Sequence, residues 1–381
     1  MSCMDKRQTD AALKNNCCAL PEGVPPLSSL YFYIAGSCNL RCRHCWISPG
    51  YSKDIHGNFI KTEYVEKAIN EAKPLGLNFV KLTGGEPTLH PQIREIVLLI
   101  NQLGIRFAME TNGTLIDSET AEFFKKNEHF SSISVSVDGT DSKTHDSLRA
   151  VQGSYDQAIT GIKNLVSAGF KPQLICTLHK RNISQLPGII SLAEGLGCGS
   201  VKFNHLQKMG RGEEFAENYA LDIHEVIAAY KRVEQEFAPK AKFPLYFDIP
   251  FAFYSIRKLI YGRLGRCNVR NILGILADGD ISLCGIGYTI PELVCGHIAR
   301  DNIKDIWCDS PILQEIRKVI PFRLEGICGE CLLKEICLGE CVAHNYHKTG
   351  KLNSPYWFCN NALSQGLFPE SRKKSKKEAR I

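Results

Sequence analysis

The sequence lacks the segments that would direct a protein into a membrane or out of the cell. It contains no run of about 18 or more apolar residues, so we expect no membrane-spanning helix. Its opening stretch, MSCMDKRQTDAALKNN, lacks the apolar core of a secretory signal. The expected location is therefore cytoplasmic, with no membrane partner.

A basic surface with interleaved aromatic residues is also missing. The formal net charge is +6, but much of the excess lies in the stretch SRKKSKKEAR at Ser371–Arg380. That stretch offers no aromatic side chains for base stacking, so we expect no nucleic-acid partner. We predict that residues 366–381 form a disordered basic tail, because they cannot bury enough apolar surface to offset the entropy of ordering.

Cysteine is scarce in the middle of the chain and dense on either side of it. Residues 46–266 contain two of the 17 cysteines, whereas residues 38–45 contain three and residues 267–359 contain nine. In a chain of this length without an export signal, clustered thiols are more typical of metal ligands than of disulfides. The cysteine pattern therefore predicts a metalloprotein.

Short β-rich runs alternate with helical segments over the first two thirds of the chain. The six candidate strands are Leu30–Gly36, Asn78–Gly84, Ile105–Thr111, Ser132–Asp138, Pro172–Leu178 and Ser200–Leu206. Strict alternation predicts a parallel sheet with helical crossovers, whose chemistry lies at the carboxyl ends of the strands. The predicted fold class is α/β, as a partial (β/α)6 TIM-like barrel.

The alternation of strand and helix patterns ends after Tyr261. Gly274–Ile290 has the pattern of a β-hairpin with a turn at Asp278–Gly279, and a cysteine-dense segment with little periodicity follows. We predict a small cysteine-rich domain held together by metal rather than by core volume. The predicted parts are an N-terminal extension 1–28, the barrel core 29–240, a bridging region with the cysteine-rich domain 241–365, and the tail 366–381.

The segment GSCNLRCRHCW places Cys38, Cys42 and Cys45 on the loop that leaves the first strand. A cubane iron–sulfur cluster has four iron corners, so three thiolates leave one iron free to chelate an amino and a carboxylate group. A zinc site is the alternative. Structural zinc is closed and four-coordinate, and His44 could be the fourth ligand only with strain beside Cys45.

This loop, with His44 before its last cysteine, resembles the signature of the radical S-adenosylmethionine (SAM) superfamily. Further matches follow in the family's order along the chain. They are Gly84, Gly85, Glu86 and Pro87 after the second strand, Asn112 after the third, Ser136 and Asp138 at the end of the fourth, and Arg149 downstream.

The resemblance implies that Cys38, Cys42 and Cys45 hold a SAM-binding 4Fe-4S cluster and that the other matched residues bind the cofactor. The backbone of the GGEP turn would receive the amino group of the methionine moiety. Ser136 and Arg149 would contact the nucleoside and carboxylate ends of the SAM cofactor. An external one-electron donor, such as flavodoxin or ferredoxin, would reduce the cluster, which then cleaves SAM to a 5′-deoxyadenosyl radical.

The second cysteine field, with its core CGECLLKEICLGEC, resembles the SPASM extension, which carries two auxiliary 4Fe-4S clusters. One implied ligand set is Cys328, Cys331, Cys337 and Cys359. The other is Cys267, Cys284 and Cys341. Cys295 is a candidate for the missing eighth ligand, and the alternative is an iron left open for substrate.

Relatives with a SPASM extension mostly modify peptides by cross-linking, epimerisation or backbone excision. The opening SLYFYIAGSCNLRCRHCWISP resembles maturases of ribosomally synthesised peptides (RiPPs) of the SynChlorMet-associated type. The resemblance implies a precursor peptide as substrate. The first ~28 residues are too short for a folded leader-binding domain, which favours a separate leader-recognition protein.

Three other functions stay open at this point. Sulfatase-maturating, formylglycine-forming enzymes resemble the segment DGTDSKTHDSLRAVQGSY, but they place an aspartate base where this chain has Gly285. Haem-biosynthesis decarboxylases and deacetylases share the core and a cysteine-rich extension, and they act on a tetrapyrrole. An electron carrier or zinc-ribbon scaffold would leave the GGEP turn and the open three-cysteine site unexplained.

Overall fold

The computed structural model of the chain describes residues 20–51, 58–262 and 267–374. The strands are β1 Ser29–Ala35, β2 Ser37–Cys38, β3 Gly50–Tyr51, β4 Phe79–Gly84, β5 Arg106–Thr111, β6 Phe130–Ser136, β7 Gln173–Leu178, β8 Ser200–His205, β9 Leu245–Phe247, β10 Ile272–Ile275, β11 Asp280–Ser282 and β12 Val294–His297. The α-helices are α1 Thr62–Ala72, α2 Ile93–Gln102, α3 Ser118–Lys125, α4 Ser142–Arg149, α5 Ser154–Ser167, α6 Leu186–Gly195, α7 Gly212–Tyr219, α8 Ile223–Arg232, α9 Ile256–Tyr261, α10 Ile303–Asp309, α11 Pro311–Val319, α12 Gly326–Glu330, α13 Lys334–Cys337, α14 Val342–Thr349 and α15 Trp357–Ser364.

One large sheet organises the described residues, and its strand order is β12-β11-β10-β1-β4-β5-β6-β7-β8-β9. The eight strands β10-β1-β4-β5-β6-β7-β8-β9 of that order are parallel to one another. Strand β11 is antiparallel to β10, and β12 is antiparallel to β11. The six predicted strands correspond to β1 and β4–β8. The predicted α/β partial barrel is confirmed. None of the described helices is both long and apolar enough to cross a membrane.

Alternation along each strand separates two environments. In β8, Val201, Phe203 and His205 are buried and the residues between them are half-buried. Successive side chains of a strand point to opposite faces, so one set packs under the helices and the other faces the barrel interior. The helices cover the first set with apolar stripes, as α1 does with Val65 and Ile69. Polar strand residues are thereby directed into the barrel interior.

The sheet extends further than the six predicted units. Strand β10 pairs in parallel with β1, and β9 pairs in parallel with β8. The cysteine-rich region is therefore joined to the barrel by strand pairing as well as by chain connection. It also has apolar volume, because Trp307 and Phe358 lie fully buried in the same hydrophobic core as the barrel. The expectation of a domain held by metal rather than by core volume is wrong in this respect.

The predicted disordered tail begins too early. Within residues 366–374, Phe368 is buried, and the Arg372 Nη2 donates to the Tyr254 carbonyl at 2.9 Å. Lys373 forms an isolated β-bridge with Cys331. Phe368 supplies the apolar surface that orders this stretch. Residues 375–381 of the predicted tail and residues 1–19 of the predicted N-terminal extension lie outside the described residues.

Candidate active site

The three-cysteine loop is fixed at its base and along one side. Strand β2 ends at Cys38 and pairs with β3, which closes the loop on itself. The backbone N–H groups of Arg41 and Arg43 donate to the carbonyls of Arg149 and Leu148, at 3.1 and 2.8 Å. These carbonyls lie at the C-terminal end of α4, where a helix leaves acceptors free. The loop is thereby tied to the barrel crossover that carries Arg149.

Arg211 holds the same loop from the opposite side. Its backbone N–H donates to the Cys45 carbonyl at 3.0 Å, and its Nε donates to the Cys42 carbonyl at 3.0 Å. Gly210 lies so close that a Cβ there would be 2.5 Å from the Trp46 carbonyl oxygen. Sequence reasoning missed this contact. The signal that could have found it is the Gly-Arg-Gly stretch shortly after the last predicted strand.

A cavity of about 1100 Å³ opens above the carboxyl ends of the strands, and the three cysteines line it. Six of the predicted cofactor-binding residues also line it: His44, Gly84, Gly85, Asn112, Ser136 and Arg149. The other three, Glu86, Pro87 and Asp138, do not line it. The structure thus brings the predicted motifs of four successive strands to one cavity.

The two glycines of the GGEP turn let two backbones touch. Gly84 has a φ of +127°, and the Gly85 N–H donates to the Ala35 carbonyl at 2.7 Å. A Cβ on Gly85 would lie 2.0 Å from the Ser37 carbonyl oxygen. Only glycine fits such an approach. The turn therefore lies directly against the start of the three-cysteine loop.

Glu86 connects strand ends instead of facing the cavity. Its fully buried carboxylate accepts hydrogen bonds from the Thr111 hydroxyl at 2.6 Å and the Asn112 N–H at 2.7 Å. Burial raises the pKa of Glu86, and these hydrogen bonds oppose that rise. The carboxylate holds the end of β5 beside the turn after β4, which positions Asn112 at the cavity.

Arg149 links the cavity to a buried carboxylate. Its Nε lies 2.6 Å from Oδ2 of Asp138, whose Oδ1 accepts from the Thr177 N–H at 2.8 Å. Burial alone would raise the pKa of Asp138, but the Arg149 guanidinium holds it well below its usual range. The Arg149 Nη1 also lies 3.6 Å from Sγ of Cys42. One guanidinium therefore offers charge both to the carboxylate and to a thiolate.

The donor set at this cavity fits an iron–sulfur cluster. Burial raises the pKa of the Cys38 and Cys42 thiols, and Arg149 opposes that rise at Cys42. Among the described residues, no three His, Cys, Asp or Glu side chains are grouped closely enough to hold one metal ion. Thiols spread along one end of a cavity suit a cluster in which each thiolate binds its own iron.

Four cysteines of the second field surround a separate cavity of about 310 Å³. They are Cys328, Cys331, Cys337 and Cys359. Its other walls are largely apolar and include Leu324, Ile327 and Phe368. Backbone N–H groups of Tyr356 and Leu333 donate to the sulfurs of Cys328 and Cys331 at 3.3 and 3.4 Å. Four thiols with such donors around an apolar cavity fit a fully ligated cluster.

The remaining ligand candidates divide into two groups. Cys267, Cys284 and Cys341 lie close enough together to affect one another: burial and then Cys341 raise the pKa of Cys284 to about 12, and burial and then Cys267 do the same for Cys341. Cys295 lies instead beside Ser310 and Arg317. The structure therefore does not bring Cys295 together with the other three.

Two family models match the chain. The model of the radical SAM superfamily matches residues 32–193, and that of the SPASM iron–sulfur cluster-binding domain matches residues 267–332. The chain contains a radical SAM domain and a SPASM domain. The radical SAM match covers the strands that carry the three-cysteine loop and the GGEP turn, and the SPASM match begins at Cys267.

The relatives of this radical SAM chain include proteins with different named activities. It is 28% identical over 335 residues to an AdoMet-dependent heme synthase of Methanosarcina barkeri, covering 83% of this chain and 91% of that protein. It is 25% identical over 352 residues to the mycofactocin maturase MftC of Mycobacterium tuberculosis, covering 90% of this chain and 85% of that protein.

Solved structures share the fold of this radical SAM chain. Streptococcus suis SuiB bound to the precursor peptide SuiA matches with a TM-score of 0.69 at 20% identity, covering 93% of this chain and 79% of that one. The enzyme anSMEcpe bound to AdoMet and a peptide matches with a TM-score of 0.67 at 17% identity, covering 90% of this chain and 98% of that one. These likenesses show the fold. The two matched family models make the chain a radical SAM superfamily enzyme, and its domains imply iron–sulfur clusters and bound SAM.

Proposed function

We propose that this radical SAM enzyme modifies a ribosomally synthesised precursor peptide by cross-linking, epimerisation or backbone excision. The observation that carries the proposal is the polar wall of the large cavity, formed by inward-facing strand residues below the three-cysteine loop. Its members are Lys81, Thr83, Glu110, Thr177, Lys202 and Asn204.

A polar wall of this kind favours a peptide over a flat macrocycle. An extended peptide presents a donor and an acceptor at every residue, which such side chains can bind. A tetrapyrrole presents two apolar faces, and sites for such ligands are lined mainly by apolar and aromatic groups. The charged pair Lys81–Glu110, with 3.1 Å between Nζ and Oε1, lies where an apolar wall would be needed.

The proposed cofactor site follows from the arrangement at the cavity. We propose that Cys38, Cys42 and Cys45 hold one 4Fe-4S cluster, which together with bound SAM supplies a radical that abstracts hydrogen. The backbone of Gly84 and Gly85 would hold the methionine end, while Asn112, Ser136 and Arg149 would orient the rest. We propose two auxiliary clusters at the two SPASM cysteine groups, an external one-electron donor and a separate leader-recognition protein.

The relatives support a peptide substrate in part. MftC is described as a maturase, and SuiB is seen with a precursor peptide, so the shared fold accommodates a peptide in at least one case. A sulfatase-maturating activity has less support. A Cβ on Gly285 would lie 2.3 Å from the Tyr33 ring, so the position after Cys284 has no room for an aspartate base.

A tetrapyrrole is the second candidate substrate. The observation in its favour is the 28% identity to a heme synthase over 91% of that protein. A porphyrin consumed by the reduced enzyme, with every neighbouring precursor peptide left unmodified, would promote this candidate over the first.

The test compares both substrates under the same conditions. Anaerobically reconstituted, reduced enzyme is incubated with SAM and peptides encoded beside its gene, and 5′-deoxyadenosine and peptide mass are followed together. We expect one peptide to change mass in step with 5′-deoxyadenosine release. A variant with Cys38, Cys42 and Cys45 all replaced by Ala is the control and should yield neither product.

A further inference from the structure

Three charged side chains meet in the barrel interior below the three-cysteine loop, and their charges do not balance. Lys81 on β4 pairs with Glu110 on β5, and Lys202 on β8 lies close enough to lower the pKa of Glu110 further. Burial opposes that lowering, so the two ammonium groups determine its direction. Glu110 forms its ion pair with Lys81, so the second ammonium group has no carboxylate paired with it here, although its charge also acts on Glu340.

The ammonium group without an ion-pair partner among the described residues is that of Lys202. Lys81 donates to Glu110, and its Nζ lies 4.2 Å from the centre of the Tyr31 ring. The Lys202 ammonium makes no hydrogen bond and no ion pair with any residue that the structure describes, although Lys202 lines the cavity. A cation inside a barrel normally has a partner, because charge is costly to remove from water.

A second unsatisfied group lies two residues further along the same strand. Asn204 also lines the cavity, and its buried Oδ1 accepts no hydrogen bond within the described residues. Residues i and i+2 of a strand share one face and lie roughly 6.6 Å apart along it. The wall of the cavity therefore has an ammonium donor and an amide acceptor side by side, both without a hydrogen-bond partner among the described residues.

We propose that Lys202 and Asn204 form a subsite that binds a carboxylate-bearing residue of the substrate. The Lys202 ammonium would pair with the carboxylate, and the Asn204 Oδ1 would accept from the neighbouring backbone N–H. A peptide offers both groups together, at its C-terminal residue or at an Asp or Glu. The inference specifies the substrate of the site proposed above and rests on that proposal.

The position of the subsite suits a reaction at a single residue. Lys202 lines the same cavity as the three cysteines of the loop. A carboxylate held there would lie in the cavity where we propose that the radical is generated. Anchoring a remote group in this way restricts which substrate atom reaches the radical source.

The test measures retention of synthetic probes by the holoenzyme with SAM bound, using rapid gel filtration and mass spectrometry. Three pools of N-acetylated tripeptides are compared: one with free C-terminal carboxylates, one of C-terminal amides with central Asp or Glu, and one of C-terminal amides with central Asn or Gln. We expect a carboxylate pool to be retained about tenfold to a hundredfold better than the neutral pool, as a charge-assisted hydrogen bond provides.

Variants assign that preference to the subsite. Lys202→Met should abolish it and Lys202→Arg should keep most of it, while Lys231→Met, at an exposed lysine on α8, should leave it unchanged. Asn204→Leu should lower the retention of all three pools, because each presents backbone N–H donors. Iron content and thermal midpoint confirm that each variant is folded.

Specific outcomes would overturn the inference. Equal retention of charged and neutral pools, or a preference that survives Lys202→Met, would contradict the proposed subsite. A Lys202→Met variant that alters only the reduction potential of an auxiliary cluster would contradict it as well. Coproporphyrin III and its tetramethyl ester are tested in the same way, as the tetrapyrrole probes. If only the free acid is retained, and Lys202 is required, the subsite stands and the proposed peptide substrate fails.

Discussion

At the scale of single residues, Arg149 connects a buried carboxylate to the edge of the three-cysteine loop. The side chains of Arg149 and Asp138 are 9% and 0% exposed, so neither charge is solvated. Removing one partner of a buried pair leaves the other uncompensated, at a cost of about 3–5 kcal/mol. Arg149→Met should therefore lower the midpoint of anaerobic urea unfolding strongly.

The matched control is an ion pair of similar geometry at the surface. Arg94 and Glu119 lie 2.7 Å apart, but their side chains are 47% and 75% exposed. Exposed pairs contribute about 0–1 kcal/mol, so Arg94→Met should shift the midpoint little. Equal shifts for the two variants would show that the Arg149–Asp138 pair contributes no more to stability than the surface pair does.

Gly85 provides a second prediction at this scale. In Gly85→Ala the new Cβ would meet the Ser37 carbonyl at 2.0 Å, which forces the GGEP turn away from the cysteine loop. We expect reduced iron content and a large loss of SAM affinity, measured by equilibrium dialysis. Gly195→Ala is the control, because its Cβ would meet nothing within 4 Å, and it should bind SAM as the wild type does.

At the scale of elements, the segment after β8 stabilises the cysteine loop through Arg211. Three carbonyls of the loop accept from this residue, those of Cys42, Cys45 and Pro49. Arg211→Met removes the two side-chain bonds and keeps the backbone one. We expect the loop cluster to be lost several-fold faster on exposure to air, followed as bleaching of the iron–sulfur absorption.

A surface arginine on a neighbouring loop is the control for Arg211. The Arg181 guanidinium stacks on the Tyr219 ring at 3.9 Å from its centre and makes no hydrogen bond to the described residues of the cysteine loop. Arg181→Met should bleach at the wild-type rate. If both variants bleach alike, Arg211 does not hold the cluster-binding loop.

Sequence patterns predicted the elements that are determined by neighbouring residues. They missed features that depend on residues far apart in the chain. The six strands β1 and β4–β8 stood out because each has six or more residues with turn signals around it. Strand β9 has three residues, too short for periodicity to identify, and only pairing with β8 makes it a strand. Strands β10 and β11 form the predicted hairpin, but the parallel pairing of β10 with β1 was not predicted.

The same reasoning applies to the site. The cysteines and the GGEP turn were found because they are contiguous motifs. Lys81 and Lys202 were missed, since alternation does not reveal whether the polar face of a strand meets solvent or a barrel interior. Arg211 was missed because its partners lie more than 160 residues earlier in the chain. Such contacts depend on the tertiary arrangement of the sheet and not on neighbouring residues in the sequence.

At the scale of the whole molecule, the SPASM cysteines are distributed between two places, and Cys295 lies apart from both. Its neighbours are Ser310 and Arg317. We therefore expect Cys295→Ala to leave the auxiliary-cluster spectrum and reduction potentials unchanged. Cys284→Ala, in the group with Cys267 and Cys341, should perturb one auxiliary cluster. A changed potential in Cys295→Ala would restore it as a ligand.

The separation of the three cysteine groups also predicts how iron is lost from the whole molecule. The cavity at Cys38, Cys42 and Cys45 and the cavity at Cys328 and its partners share no lining residue. Three cubane clusters would hold about twelve irons, and each group should lose its own four independently. Replacing the three loop cysteines together should therefore remove about four irons and abolish SAM cleavage, while the auxiliary absorption persists. The measurement is iron per chain after anaerobic reconstitution, with 5′-deoxyadenosine formation assayed on the same samples. A reconstituted wild type with only one cluster, or a triple variant that loses all its iron, would contradict the assignment of separate sites.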